Sequence, residues 1–200
     1  MKNPINYPLC FLILYFFTFI SQELKNKFYV RNVAGEHYYG EYKTHKYYIY
    51  LDDIGKEIMK KVDESEEIIF LPKENTPFCK SNPGYAGYVD WPKRNGTDFG
   101  ICSFRVIEGQ DYETASFHIN SIVRHEGMHV AQFCKRPGFD NPGIYPLNIV
   151  DRRNLFKYEI NLESEIYDGI PENQKLAELE ANYVEDKPYL ISELIEAHCY

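Results

Sequence analysis

The chain has 200 residues and a formal net charge of −8. Its length suits one domain with a sizeable core once a leader is set aside. Acidic overall and without a basic cluster, it cannot neutralise a run of phosphates, which sets nucleic acid aside as a partner.

Lys2 precedes an almost unbroken apolar run from Pro8 to Ile20. The run is too short to span a bilayer comfortably but has the length of a signal-peptide core. Residues 1–21 are read as a signal peptide and 22–200 as one domain, exported to the periplasm or secreted. Thr18-Phe19-Ile20-Ser21 lacks small residues at both positions a cleavage site requires, so the alternative is an uncleaved N-terminal anchor, the one route to the membrane.

Next comes a tyrosine cluster, Tyr38, Tyr39, Tyr42, Tyr47, Tyr48 and Tyr50, which suits a half-buried surface better than a carbohydrate platform. From Tyr47 to Val62 the apolar positions Tyr47, Tyr50, Leu51, Ile54, Ile58 and Met59 fit one face of a helix. Glu67 to Leu71 reads as a strand closed by Pro72. Tyr85–Trp91 and Phe99–Ile107 flank an Asn95-Gly96 turn signal and predict a hairpin. In a small sheet there, an edge strand can hold an extended peptide.

The stretch Ile119 to Cys134 contains His125-Glu126-Gly127-Met128-His129, an HExxH motif. Chance alone would yield about 0.02 such matches in a chain of this composition. Residues four apart on a helix share a face, so both imidazoles can reach one ion. Glu126 is rotated about 100° from His125; it cannot join that chelate but can reach a water on the open metal position and take its proton. Phe117, Ile119, Ile122, Val123, Val130 and Phe133 supply the apolar spacing of a buried helix of about 20 residues. Asp111 and Glu113 suit its start, and Lys135-Arg136-Pro137-Gly138 its end. Gly127 is read as room for close packing, and His118, a turn too far along the axis to be a ligand, as a hydrogen-bonded core residue.

Lys135 to Asn154, with three prolines, predicts a long irregular connection of the kind that serves a site. Helices follow at Leu155–Ile166, Pro171–Asp186 and Tyr189–His198. Beyond the leader stand Cys79, Cys102, Cys134 and Cys199. An even count in an exported chain favours two disulfides, with three connectivities open. The expected pairs are Cys79 with Cys102, stapling the segment before the motif helix, and Cys134 with Cys199, tying that helix to the C-terminus. No CxxC pair supports a zinc–cysteine site.

A third zinc ligand remains to be found. The metzincin pattern would need His at 135 and Gly at 132, where Lys135 and Gln132 stand. A glutamate from a later helix is the other common solution, and Glu178 and Glu180 are both available. Here Leu176-Ala177-Glu178-Leu179-Glu180-Ala181-Asn182-Tyr183, together with the HExxH, resembles the gluzincin-type metallopeptidases, in which the ligand glutamate commonly stands directly before alanine. That resemblance implies Glu180 as the third ligand, with Glu178 in reserve. Arg124-His125-Glu126, Gln132 and Cys134 also resemble a group of small exported bacterial proteins with R-H-E-x-x-H-x-x-Q-x-C and a later Glu-Ala pair. The chain departs from the thermolysin-like pattern at Val184, where an acid would orient a ligand histidine; Glu185 and Asp186 are the nearby substitutes.

The sequence thus predicts an α+β fold, a small antiparallel sheet packed against a long HExxH helix with further C-terminal helices. The predicted site is zinc on His125, His129 and Glu180, with Glu126 as general base hydrolysing a peptide or protein substrate. Tyr183 and His198 are candidate donors to a developing oxyanion. The alternative is a non-catalytic, disulfide-stapled binding domain whose metal site is structural or vestigial.

Overall fold

The computed structural model describes residues 40–65, 68–90, 96–135, 144–151 and 170–200. The chain divides into Met1–His37 and Tyr38–Tyr200. The first unit, with the predicted leader, lies outside the described residues, as does the predicted helix Leu155–Ile166.

The described chain begins with two short 3-10 turns, Glu41–Thr44 and Lys46–Tyr50, followed by helix α1 (Asp53–Glu64). The continuous helix predicted from Tyr47 is therefore broken at Leu51 and Asp52. Asp52 is in extended conformation and caps α1, its Oδ1 accepting from the Gly55 amide at 2.6 Å. Tyr42 and Tyr47 are buried, so part of the tyrosine cluster is core, not surface.

Strand β1 (Phe70–Glu74) runs through Pro72, where the sequence predicted its end. Proline is tolerated because β1 lies at the edge of a three-stranded sheet ordered β1-β3-β2, and an edge strand can spare one N–H. After β1 come the short helix α2 (Pro77–Ser81), β2 (Gly87–Val89), β3 (Thr97–Ile101) and the short helix α3 (Phe104–Ile107). β2 and β3 pair antiparallel as the predicted hairpin, with the turn residues 91–95 outside the described set; β3 is shorter than predicted and gives way to α3. β1 and β3 pair in parallel, through the crossover of α2 and β2, so the sheet is mixed, not purely antiparallel. The α+β class stands.

Helix α4 (Tyr112–Lys135) spans 24 residues and is the hub, contacting α1, β2, β3, α5 (Glu172–Val184) and α6 (Pro188–Cys199). Gly127 sits at a close crossing with α1 and α6. A Cβ there would lie 2.8 Å from Ile58 Cγ2 of α1 and 3.2 Å from Ile191 Cγ2 of α6, the close packing expected of this residue. The core gathers Ile58, Met59, Val62, Phe70, Phe99, Ile119, Val123, Met128, Phe133 and Ile195 around that hub. Arg124 reaches back from α4 to the cap residue Asp52, and Asn120 accepts from the Asp52 amide at 3.0 Å.

Two disulfides are present. Cys79 of α2 is joined to Cys102 after β3, and Cys134 in the last turn of α4 to Cys199 at the end of α6. No helix among the described residues is long and apolar enough to cross a membrane.

Candidate metal centre

Helical spacing puts His125 and His129 on one face of α4, and α5 crosses that face. The two Nε2 atoms lie 3.2 Å apart. Glu178 of α5 places Oε2 3.2 Å from Nε2 of His125 and 3.4 Å from Nε2 of His129. Among the described residues these three form the one group of His, Cys, Asp and Glu side chains able to converge on a metal ion. For ligands about 2.0–2.1 Å from a tetrahedral ion, the edges of one face measure about 3.3–3.4 Å. The observed triangle has that size.

The far side of each ring is held. His125 donates from Nδ1 to Glu185 Oε1 at 2.8 Å, and Ser121 Oγ steadies the other carboxylate oxygen at 2.9 Å. Glu185 thus fills the role for which Val184 left no acid. His129 Nδ1 lies 2.8 Å from Gln132 Oε1. Since Glu185 only accepts when ionised, it keeps a proton on His125 Nδ1 and turns Nε2 toward the cluster.

Charge follows the same geometry. Burial alone would lower His125, but its hydrogen bonds to the Glu178 and Glu185 carboxylates lift it to about 10. Burial alone would raise Glu178, yet the two histidines hold it well below the usual carboxylate range. Glu126 is 7% exposed, and burial pushes its pKa up against the pull of His125 and His129. No side-chain hydrogen bond to its carboxylate exists among the described residues. Glu126 stands beside the cluster and lines the cleft into which the cluster opens.

The carboxylate that joins the two histidines in the group able to hold an ion is Glu178, not the Glu180 expected as third ligand. Glu180 is 1% exposed and faces the core, where its carboxylate accepts from the amides of Leu147 at 2.6 Å and Ile149 at 3.1 Å, and from Gln132 Nε2 at 3.2 Å. The helical wheel explains the difference: Glu180 shares its face with Ala177 and Val184, both buried, whereas Glu178 shares its face with Gln174 and Glu185, both facing the cleft. Tyr183 and His198 do not line the cleft. Tyr183 is covered by Lys187, whose Nζ is 3.5 Å from the ring centroid. His118 is exposed, edge-on to Phe117, and not the core residue expected.

The cluster opens into a cleft of about 450 Å³. Its floor is His125, Glu126, His129 and Glu178; Ile122, Phe133 and Ile144 make apolar wall, and β2 forms one rim. Gly87 lets β2 descend onto the motif, since a Cβ there would lie 2.5 Å from Ile122 Cγ2 and 2.9 Å from Glu126 Cγ. In the β2–β3 ladder, Ala86 O accepts from Cys102 and Asp90 donates to Asp98, so Ala86, Tyr88 and Asp90 turn their backbone groups to β3. The intervening Gly87 and Val89 turn theirs outward, along the open edge.

A helix-borne His-Glu-x-x-His pair joined by a glutamate from a neighbouring helix, under the edge of a small sheet, defines an α+β protein with a side-chain group that could hold a metal ion. Residues 47–200 match the family described as Domain of unknown function (DUF8637), and the chain belongs to that family. No curated protein and no solved structure matches the chain.

Proposed function

We propose that the protein is a zinc-dependent peptide hydrolase of the gluzincin type, with His125, His129 and Glu178 as ligands and Glu126 as general base. The observation that carries this reading is the triangle of Nε2, Nε2 and Oε2 atoms at 3.2, 3.2 and 3.4 Å with Glu126 beside it, lining the same cleft. A zinc ion held there would polarise a carbonyl and lower the pKa of water at its open position to about 7. Glu126 takes the proton of the attacking water and returns it to the leaving amine. The outward amides and carbonyls of Gly87 and Val89 offer an extended peptide a strand to pair with, and Ile122, Phe133 and Ile144 offer an apolar side chain its contact. Two disulfides support export to an oxidising compartment.

A structural or vestigial site in a binding domain, the rival reading, would be closed and would have no use for Glu126. Glu126→Gln separates the two. Expected is full zinc content by elemental analysis, with peptide cleavage slowed about 10²–10⁴-fold, the range for a positioned general base. Cleavage at the wild-type rate would overturn the mechanism.

A further inference from the structure

Glu180 is a buried carboxylate that the proposed reaction does not use, and Gln132, Leu147 and Ile149, which donate to it, join two parts of the site. Gln132 donates from Nε2 to Ala177 O at 3.0 Å and to Glu180 Oε2 at 3.2 Å. Both partners are acceptors. If the amide flipped, its oxygen would face that carbonyl and that carboxylate inside the core, so the NH2 group stays where it is. The amide oxygen must then face His129 Nδ1, which obliges that nitrogen to carry the proton and leaves the Nε2 lone pair for the cluster. On its other side Glu180 receives the amides of Leu147 and Ile149, brought round to one carboxylate by Asn148 at φ +57°. Lys135 Nζ fastens the same segment by donating to Leu147 O at 2.9 Å. Three residues earlier, Ile144 lines the cleft.

We infer that Glu180 is a positioning residue: through Gln132 it sets the ring orientation and tautomer of His129, and through Leu147 and Ile149 it holds the cleft wall that carries Ile144. The inference rests on the metal site proposed above and adds to it a charge that touches neither ion nor substrate. Glu180→Gln keeps the volume but puts an NH2 group against either the backbone amides or the Gln132 amide, so one side of the relay must let go.

The test is zinc affinity, by competition with a chromophoric chelator, in the wild type, Glu180→Gln, Gln132→Met and the double variant. Each single change should weaken zinc about 10–100-fold, the loss typical when the partner of a ligating histidine is removed. Because Glu180 acts through Gln132, the double variant should bind no more weakly than Gln132→Met. Equal affinity in Glu180→Gln and wild type, or single losses that multiply in the double variant, would overturn the inference and leave the metal site standing. No zinc uptake by the wild type would overturn both. Long-range ¹H–¹⁵N NMR of the zinc-loaded wild type needs no variant to fold: a proton on His129 Nδ1 is expected, and zinc on that nitrogen overturns the relay.

Discussion

Glu178 and Glu180 stand two residues apart on one helix, yet they occupy opposite regions of the molecule. Glu178 looks into the cleft, between two imidazoles that hold its pKa down; Glu180 looks into the core, where burial raises its pKa against the pull of peptide amides and a glutamine amide. Both are well satisfied, but by donors of different kinds. Backbone amides keep their protons, whereas imidazole Nε2 atoms can exchange theirs for a cation. What makes a carboxylate a ligand is therefore the chemistry facing it, and a rotation of about 200° along α5 changes that chemistry completely.

Replacing each by alanine gives the sharpest contrast. Glu178→Ala should abolish tight zinc binding and keep the fold. Glu180→Ala should keep measurable zinc binding but lose stability, because the Leu147 and Ile149 amides are left without an acceptor, at about 1–3 kcal/mol for each buried group. Urea unfolding and a zinc titration on both variants check this; the reverse pattern would exchange the roles assigned to the two residues.

The core side of the motif helix can be loosened without touching the cleft. Removing the Cys134–Cys199 bridge with a Cys134→Ala/Cys199→Ala pair frees the ends of α4 and α6, and should cost about 2–5 kcal/mol by urea unfolding while Glu126 keeps its place. A drop below 1 kcal/mol would mean that packing alone holds the two helices.

The motif helix was legible in sequence because its apolar spacing, its acidic start and its basic, proline-marked end agree on one period and one set of limits. The carboxylate that joins the two histidines was not. The Glu-Ala pair drew attention to Glu180, and the better signal lay in the flanking residues: Ala177 and Val184 mark one face of α5 as core, Gln174 and Glu185 mark the other as wet. The break at Asp52 was hidden for a related reason. Tyr47 and Tyr50, three apart, fit a 3-10 turn as well as an α-helix, and a cap residue inside an apolar pattern shows only as a polar interruption. Pro72 misled because edge position cannot be read from one strand. The disulfide pairs were expected and found, since each joins elements that α4 and the sheet bring together.

Core tyrosines give the comparison a pH axis. Burial, then the charge of Asp63, pushes Tyr42 up to about 12 from an ordinary value of 10, and burial raises Tyr47 as well. A phenol whose folded pKa is raised contributes its full stability below pH 10 and loses it as the pH climbs from 10 through 12. Urea midpoints at pH 9 and 12 should show the loss, and Tyr42→Phe should reduce it; an unchanged slope in the variant would assign the loss elsewhere.

Gly127→Ala is the smallest change. The new methyl meets Ile58 Cγ2 and Ile191 Cγ2, both on stiff β-branched side chains, so about 1–3 kcal/mol of stability should go. Thermal unfolding at matched zinc concentration reads it. A gain in stability would show that α1 and α6 move apart freely, and that the back of the motif is looser than its packing.

The central claim is that a cation sits between His125, His129 and Glu178. Crystals of the full chain grown with zinc, measured on both sides of the zinc absorption edge, test it directly. One anomalous peak per chain within about 2.0–2.2 Å of Nε2 of each histidine and an oxygen of Glu178 is the expected result. A peak on Glu180, or no peak between the two histidines at saturating zinc, would contradict it.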